Sequence, residues 1–153
     1  MEKQVIVFFI ALLATAICQQ KYYNYGYIYE TVTLNTNGQA TFLQEREYRF
    51  FNGYFSNAFL ALYDPYYKVT DGSVYEVGNS TTYSFSIVRD GVFTRLSWSF
   101  IPTNTYKRFQ IRYTIRDVIY RYQDYGHFFW KMLEHYHASI DFYKASVILP
   151  SGC

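Results

Sequence analysis

Glu134, His135 and His137 form the most ligand-like cluster in the chain. If that segment is a strand, His135 and His137 point the same way, and two imidazoles on one face can hold a zinc or copper ion. A third ligand would have to come from His127 or Asp141, which the sequence does not place, and no cysteine motif supports the site. A pair of surface histidines between strands is therefore the preferred reading, and neither a metal nor a cofactor is expected. A second constellation is basic: Arg108, Arg112 and Arg116 recur at a spacing that puts them on one face of a strand, with Lys107 and Arg121 at its ends. Such a stripe suits an anionic partner, such as envelope polymer or lipid head groups. It equally suits a solvated sheet face whose arginines pair with acids across strands and discourage stray edge pairing. The third constellation is aromatic. Tyr23, Tyr25, Tyr27 and Tyr29, following Tyr22, alternate along one segment and would share a face. Flat rings there can stack on sugars or anchor a protein interface, and they also pack comfortably when half-buried on ordinary sheets.

Catalytic signatures are missing from this inventory. There is no Gly-x-Ser-x-Gly, no His-Glu-x-x-His, no phosphate loop and no dinucleotide fingerprint. Glu45, Glu47 and Asp124 are the carboxylates that could converge for glycoside hydrolysis, but their spacing does not ask for it. The chain is not expected to be an enzyme.

The elements that would carry these residues read as strands. Tyr23 to Leu34 alternates, and Asn35-Thr36-Asn37-Gly38 supplies a turn, so Ala40 to Phe50 folds back antiparallel. Gln44 and Arg46 share the parity of Phe42, Tyr48 and Phe50, which suggests a bulge or a half-exposed edge in this second strand. Asn52-Gly53 makes another turn, and Phe55 to Tyr67 shows no period. Tyr67 to Thr70 and Val74 to Val77 flank Asp71-Gly72 as a short hairpin, and Tyr83 to Ile87 returns through Arg89-Asp90-Gly91 to Leu96, Trp98 and Phe100. From Arg108 to Arg116 the alternation is nearly perfect, with Phe109, Ile111, Tyr113 and Ile115 on the core side. His127 to Leu133 has no period and suits a single helical turn, and a last strand runs from Ile140 to Leu149. Seven or eight short strands with turn signals about every ten residues predict an all-β fold: a single antiparallel β-sandwich with immunoglobulin-like packing.

Composition sets the compartment. Glu2-Lys3 precede an apolar run from Val5 to Ala14 that closes on Ala16-Ile17-Cys18, the pattern of a cleaved secretory signal over residues 1–18, with a domain over 19–153. An uncleaved anchor and a lipoprotein acylated at Cys18 are the alternatives. Tyr contributes 19 of 153 residues and aromatics 23%, which favours pleated surfaces. A formal charge of +2 is too small to argue for nucleic acid. After removal of the signal only Cys153 remains, so no internal disulfide forms, and an intermolecular bridge or a truncated chain end are the readings of that thiol. Asn79-Ser80-Thr81 is a glycosylation sequon if the source is eukaryotic.

One colinear order spans most of residues 23 to 150: Gly38, Glu45, Tyr48, Phe50, Gly53, Ile111, Tyr113, Ile115, Tyr122, Asp124, Phe128 to Trp130, Ile140 and Leu149-Pro150. This order resembles the amino-terminal ectodomain of the predicted membrane proteins grouped as domain-of-unknown-function family 2207. The resemblance implies a signal peptide, an extracytoplasmic β-rich domain, then transmembrane helices and a cytoplasmic tail, with no established activity. The segment after Phe50 lacks the Arg and Ile-Pro of that pattern, and the sequence stops soon after Leu149-Pro150. A truncated reading frame or a free secreted version are the two readings of that stop. The resulting expectation is a non-enzymatic binding or interaction module at the cell surface, contacting protein or glycan. Membrane association would come only through a further C-terminal region or an uncleaved signal. A carbohydrate-binding module using the tyrosine face is the alternative, and a self-assembling surface protein or a Cys153-linked dimer are further possibilities.

Overall fold

A computed structural model describes residues 20–66, 68–79, 81–122, 125–133 and 138–150. The expected signal over 1–18, and with it Asp124, Glu134, His135, His137 and Cys153, lie outside the described residues. Ten strands and no helix make up the described chain. They are β1 (Tyr22–Leu34), β2 (Ala40–Phe51), β3 (Phe55–Tyr63), β4 (Val69–Glu76) and β5 (Phe85–Asp90), then β6 (Phe93–Thr103), β7 (Tyr106–Ile115), β8 (Ile119–Arg121), β9 (Gly126–Phe128) and β10 (Tyr143–Ile148). A five-stranded sheet runs in the order β10-β1-β2-β7-β4, a three-stranded sheet in the order β3-β6-β5, and β8 pairs with β9. The fold is all-β, as the alternation predicts.

The first two strands form the expected hairpin, with Leu34 opposite Ala40 and Tyr23 opposite Phe50. Gly38 takes a φ of 87° in its turn, a conformation that costs a residue without Cβ little. Strand β7 lies antiparallel to both β2 and β4, so its inward row of Phe109, Ile111, Tyr113 and Ile115 is fully buried. That row meets the inner face of the smaller sheet through rings: Trp98 lies 5.4 Å from Phe109, and Phe100 lies 5.2 Å from it. Tyr48 and Phe50 on β2 extend the same cluster to Trp98 and Phe100. Burial of each such aromatic or aliphatic side chain contributes about 1.5 to 3 kcal/mol, and these rings join the two sheets. Further along, Phe42 is covered by Phe128 and Trp130.

Several expectations are corrected. The segment after Asn52-Gly53 is a strand, β3, and its period is hidden because Leu60, Ala61 and Leu62 are all buried in succession. Asp71-Gly72 is not a hairpin turn but the middle of β4, where the register shifts between Val69 and Asp71. Gly72 is there for space: a Cβ would strike the Phe85 ring and approach the Arg112 carbonyl. Residues 126–128 pair with β8 as a strand rather than forming a helical turn. Strand β10 runs parallel to β1, so the larger sheet is mixed rather than wholly antiparallel. Finally, β2 is central rather than an edge, and Gln44 and Arg46 point inward with no exposure. Burial of those two is offset by a polar chain. Arg46 donates from Nε to Gln44 Oε1 at 2.8 Å, Gln44 donates to Glu30 at 2.6 Å, and Tyr143 donates to the other Glu30 oxygen at 2.7 Å.

Candidate functional site

The outer face of the five-stranded sheet carries Tyr27, Tyr29 and the arginines that the sequence singled out, in rows set by the strand register. One row places Tyr27, Glu47 and Arg108 side by side on β1, β2 and β7. The next places Tyr29, Glu45 and Gln110, and the one after it Thr31, Leu43 and Arg112. Charges alternate across these rows, so side chains lock in pairs. Glu47 accepts from Arg108 Nε at 2.9 Å and from Arg49 Nε at 2.8 Å, and Arg49 also reaches Asp141 at 2.7 Å. Tyr27 donates its hydroxyl to Glu45 at 2.6 Å.

These partners set the titration of the site. Burial alone would raise the Glu47 carboxyl, but the hydrogen bonds and charges of Arg108 and Arg49 outweigh it and hold the group below the ordinary carboxylate range. Burial, and then the Glu45 carboxylate, push the Tyr27 hydroxyl well above its ordinary value, so it stays protonated. The hydrogen bond to Glu47 raises the Arg108 guanidinium further.

The tyrosine run does not share a face. The register slips between Tyr25 and Tyr27, with Gly26 as the extra residue, and parity inverts there. Tyr23 and Tyr25 turn inward onto Tyr48, at 5.7 and 4.8 Å between rings, and Tyr25 is 1% exposed. Tyr27 and Tyr29 turn outward and lie 4.6 Å apart, with Phe142 beside Tyr29. Gly26 is required at the bulge, because a Cβ would collide with the side chains of Glu47 and Arg49. The arginine stripe keeps its predicted facing: Arg108, Arg112 and Arg116 are all exposed. Arg108 pairs with Glu47 and Arg116 approaches Asp117 at 3.9 Å, whereas Arg112 makes no ion pair among the described residues. Asn79 is exposed, as a modified asparagine would have to be.

The rows end in a depression of about 600 Å³ at the edge of the sheet, lined by Glu47, Arg49, Phe51, Asn104, Thr105, Tyr106 and Arg108. Arg108 lies 5.4 Å from the exposed Tyr106 ring, and Tyr22 stacks on Phe51 at 4.9 Å beside it. Of these residues the sequence singled out Arg108 and named Glu47 only as a carboxylate. The alternation Glu45, Glu47, Arg49 on β2 was the available signal, but its meaning depends on which strand lies alongside. No cluster of three or more His, Cys, Asp or Glu side chains able to hold a metal occurs among the described residues.

Fold and face together define an all-β domain whose largest sheet keeps one side packed and presents the other, ordered by ion pairs, outward. The chain belongs to the family described as predicted membrane protein (DUF2207), N-terminal domain, whose profile matches residues 28–152. Among the described residues no helix is long and apolar enough to cross a membrane. A search among curated proteins finds no match. Among solved structures, a protein described as a "putative protease" from Parabacteroides distasonis is similar at 13% identity and a TM-score of 0.35, covering 61% of this chain and 23% of that one. The chain thus spans less than a quarter of that protein, and a likeness this distant carries no argument about fold or activity.

Proposed function

We propose that this domain is a non-enzymatic, extracytoplasmic binding module of a membrane-anchored protein, and that it takes an acidic group of a partner into the depression beside Arg49 and Arg108. The observation that carries this reading is the pair of guanidiniums, both bonded to Glu47, and Arg49 also to Asp141, with part of each side chain facing solvent. Arginines held this way lose little freedom on gripping a carboxylate, which is what makes a preorganised site. The non-enzymatic reading draws support from the pairing on this face, where Glu47 is committed to Arg49 and Arg108 and Tyr27 to Glu45.

The partner is a protein at the cell surface, and an acidic glycan is the second reading. The exposed ring of Tyr106 and the Tyr22–Phe51 stack favour the glycan, since they flank the arginines as sugar platforms would. Titration of the chain with an acidic peptide, polygalacturonate and a neutral oligosaccharide, each against wild type and Arg49→Ala/Arg108→Ala, tests both. One acidic probe should bind, weakening roughly tenfold in the double variant, as loss of about 1.4 kcal/mol gives. Preference for polygalacturonate selects the glycan reading. Equal binding by the double variant, or binding by the neutral oligosaccharide alone, would overturn the acidic-group assignment.

A further inference from the structure

Strand β1 runs from the depression toward Leu34, and β10 runs parallel to it, with Thr33 opposite Ile148. The polypeptide therefore leaves the larger sheet at the end farthest from Arg49 and Arg108. At that same end lie the β1–β2 turn, the β3–β4 connection and the residues following β7, tied together by backbone hydrogen bonds from Val118 to Gly38 and from Arg116 to Lys68. This end carries exposed apolar side chains. Tyr66 is 75% exposed, Tyr120 50% and Leu149 62%. Lys68 Nζ lies between the two tyrosines, 5.8 Å from the Tyr66 ring and 5.4 Å from the Tyr120 ring, and donates to the Asp117 carbonyl.

We infer that this end of the domain rests on the surface of a lipid bilayer, with Tyr66 and Tyr120 as interfacial anchors. Tyrosine suits the head-group boundary, because its ring body enters the acyl region while its hydroxyl stays hydrated. Lys68 holds its ammonium over the two rings and against the Asp117 carbonyl, which places a cation at the level of the tyrosines. Membership of a family described as a membrane protein with this domain at its N-terminus supplies the occupant: the rest of such a protein follows β10, and β10 points this way. Charge at this end is mixed, with Lys68 and Arg116 beside Asp117, so the contact rests on the rings rather than on anionic lipid. The acidic-ligand depression then faces away from the membrane, where a partner can reach it.

The chain from Gln19 onward, which holds every described strand, serves as the test protein. It would be sedimented with vesicles of phosphatidylcholine alone and of phosphatidylcholine with phosphatidylglycerol, at about 0.15 M salt. Binding to both vesicle types is expected, and Tyr66→Ser/Tyr120→Ser should weaken it roughly fivefold or more, since binding scales with apolar surface inserted. Tyr54→Ser/Tyr106→Ser, at the opposite end, and Arg49→Ala/Arg108→Ala should leave it unchanged, which separates this inference from the ligand reading. All substituted tyrosines are exposed, so thermal melts should match wild type; should the Tyr120 change disturb its neighbours, Tyr66→Ser alone carries the comparison. Absence of binding, binding only to the anionic vesicles, or greater loss from the Tyr54/Tyr106 variant would each overturn the inference.

Discussion

Asp64 shows how one side chain can fix the joint between the two sheets. It is fully buried, and its carboxylate accepts from the backbone of Lys68 at 2.6 Å and of Val69 at 3.0 Å, and from the Thr94 hydroxyl at 2.9 Å. Arg89 approaches the same oxygen at 3.4 Å and also donates to the Val69 carbonyl. Removing the carboxylate leaves the buried Val69 amide and Thr94 hydroxyl without their acceptor and takes one partner from the Lys68 amide and from Arg89. Asp64→Ala should therefore cost about 2 to 3 kcal/mol in urea denaturation, whereas a loss below about 1 kcal/mol would mean that water reaches those donors freely. Glu47 makes a pH-dependent contribution instead. Its carboxyl sits below the ordinary glutamate range in the folded state, so the unfolded chain takes up its proton first as pH falls. The stability this group supplies is complete well above pH 4.5 and drains away as pH descends through the folded value. Glu76, hydrogen-bonded by Lys107 and Tyr83, adds the same sign. Thermal melts from pH 6 to 3 should show a steeper acid decline for wild type than for Glu47→Gln, and parallel curves would contradict the paired geometry.

Strands turn these residues into faces, and here β7 and β1 behave differently. In β7 the alternation survives intact, so Ile111, with no exposure, should lose about 2 to 5 kcal/mol on truncation to Ala; a change under about 0.5 kcal/mol would place it on the outer side. In β1 the bulge at Gly26 inverts the facing, and Gly26→Ala should cost about 1 to 3 kcal/mol by overpacking against Glu47 and Arg49. That variant should also loosen the Arg49 and Arg108 guanidiniums, visible as faster side-chain N–H exchange. The contrast explains what was legible in the sequence. Strict period-2 runs and Asn-Gly turns are local, so β1, β2, β6 and β7 could be read directly, and so could the outward arginines. A bulge adds one residue without changing composition, so the tyrosine run looked like a single face. Asp71-Gly72 carries turn chemistry, yet its glycine answers to the Phe85 ring, contributed by a strand later in the sequence. Gln44 and Arg46 looked like surface residues because their partners, Glu30 and Tyr25 of β1 and Tyr113 of β7, come from other strands.

At the scale of the whole molecule, the larger sheet is graded from centre to edge. Strands β2 and β7 have neighbours on both sides and carry the fully buried row, whereas β10 is an edge strand with Val147 and Ile148 about half exposed. Its pairing with β1 also joins segments more than a hundred residues apart, the most expensive kind of loop to close. Both considerations place β10 among the last elements to dock and the first to open. Local opening of an edge strand does not require the core to separate, so its amides should exchange well below the global unfolding free energy. Hydrogen exchange read by mass spectrometry should therefore find β10 protected least among the strands of the larger sheet, and β7 most. Release of β10 removes the hydroxyl of Tyr143 from Glu30 and frees the strand that leads to the proposed membrane-facing end. If that end is held at a bilayer, vesicles should slow exchange in β10 while leaving β6 unchanged. Equal protection in both strands, with and without vesicles, would show that β10 is an integral part of the core and that the sheet opens only as a unit.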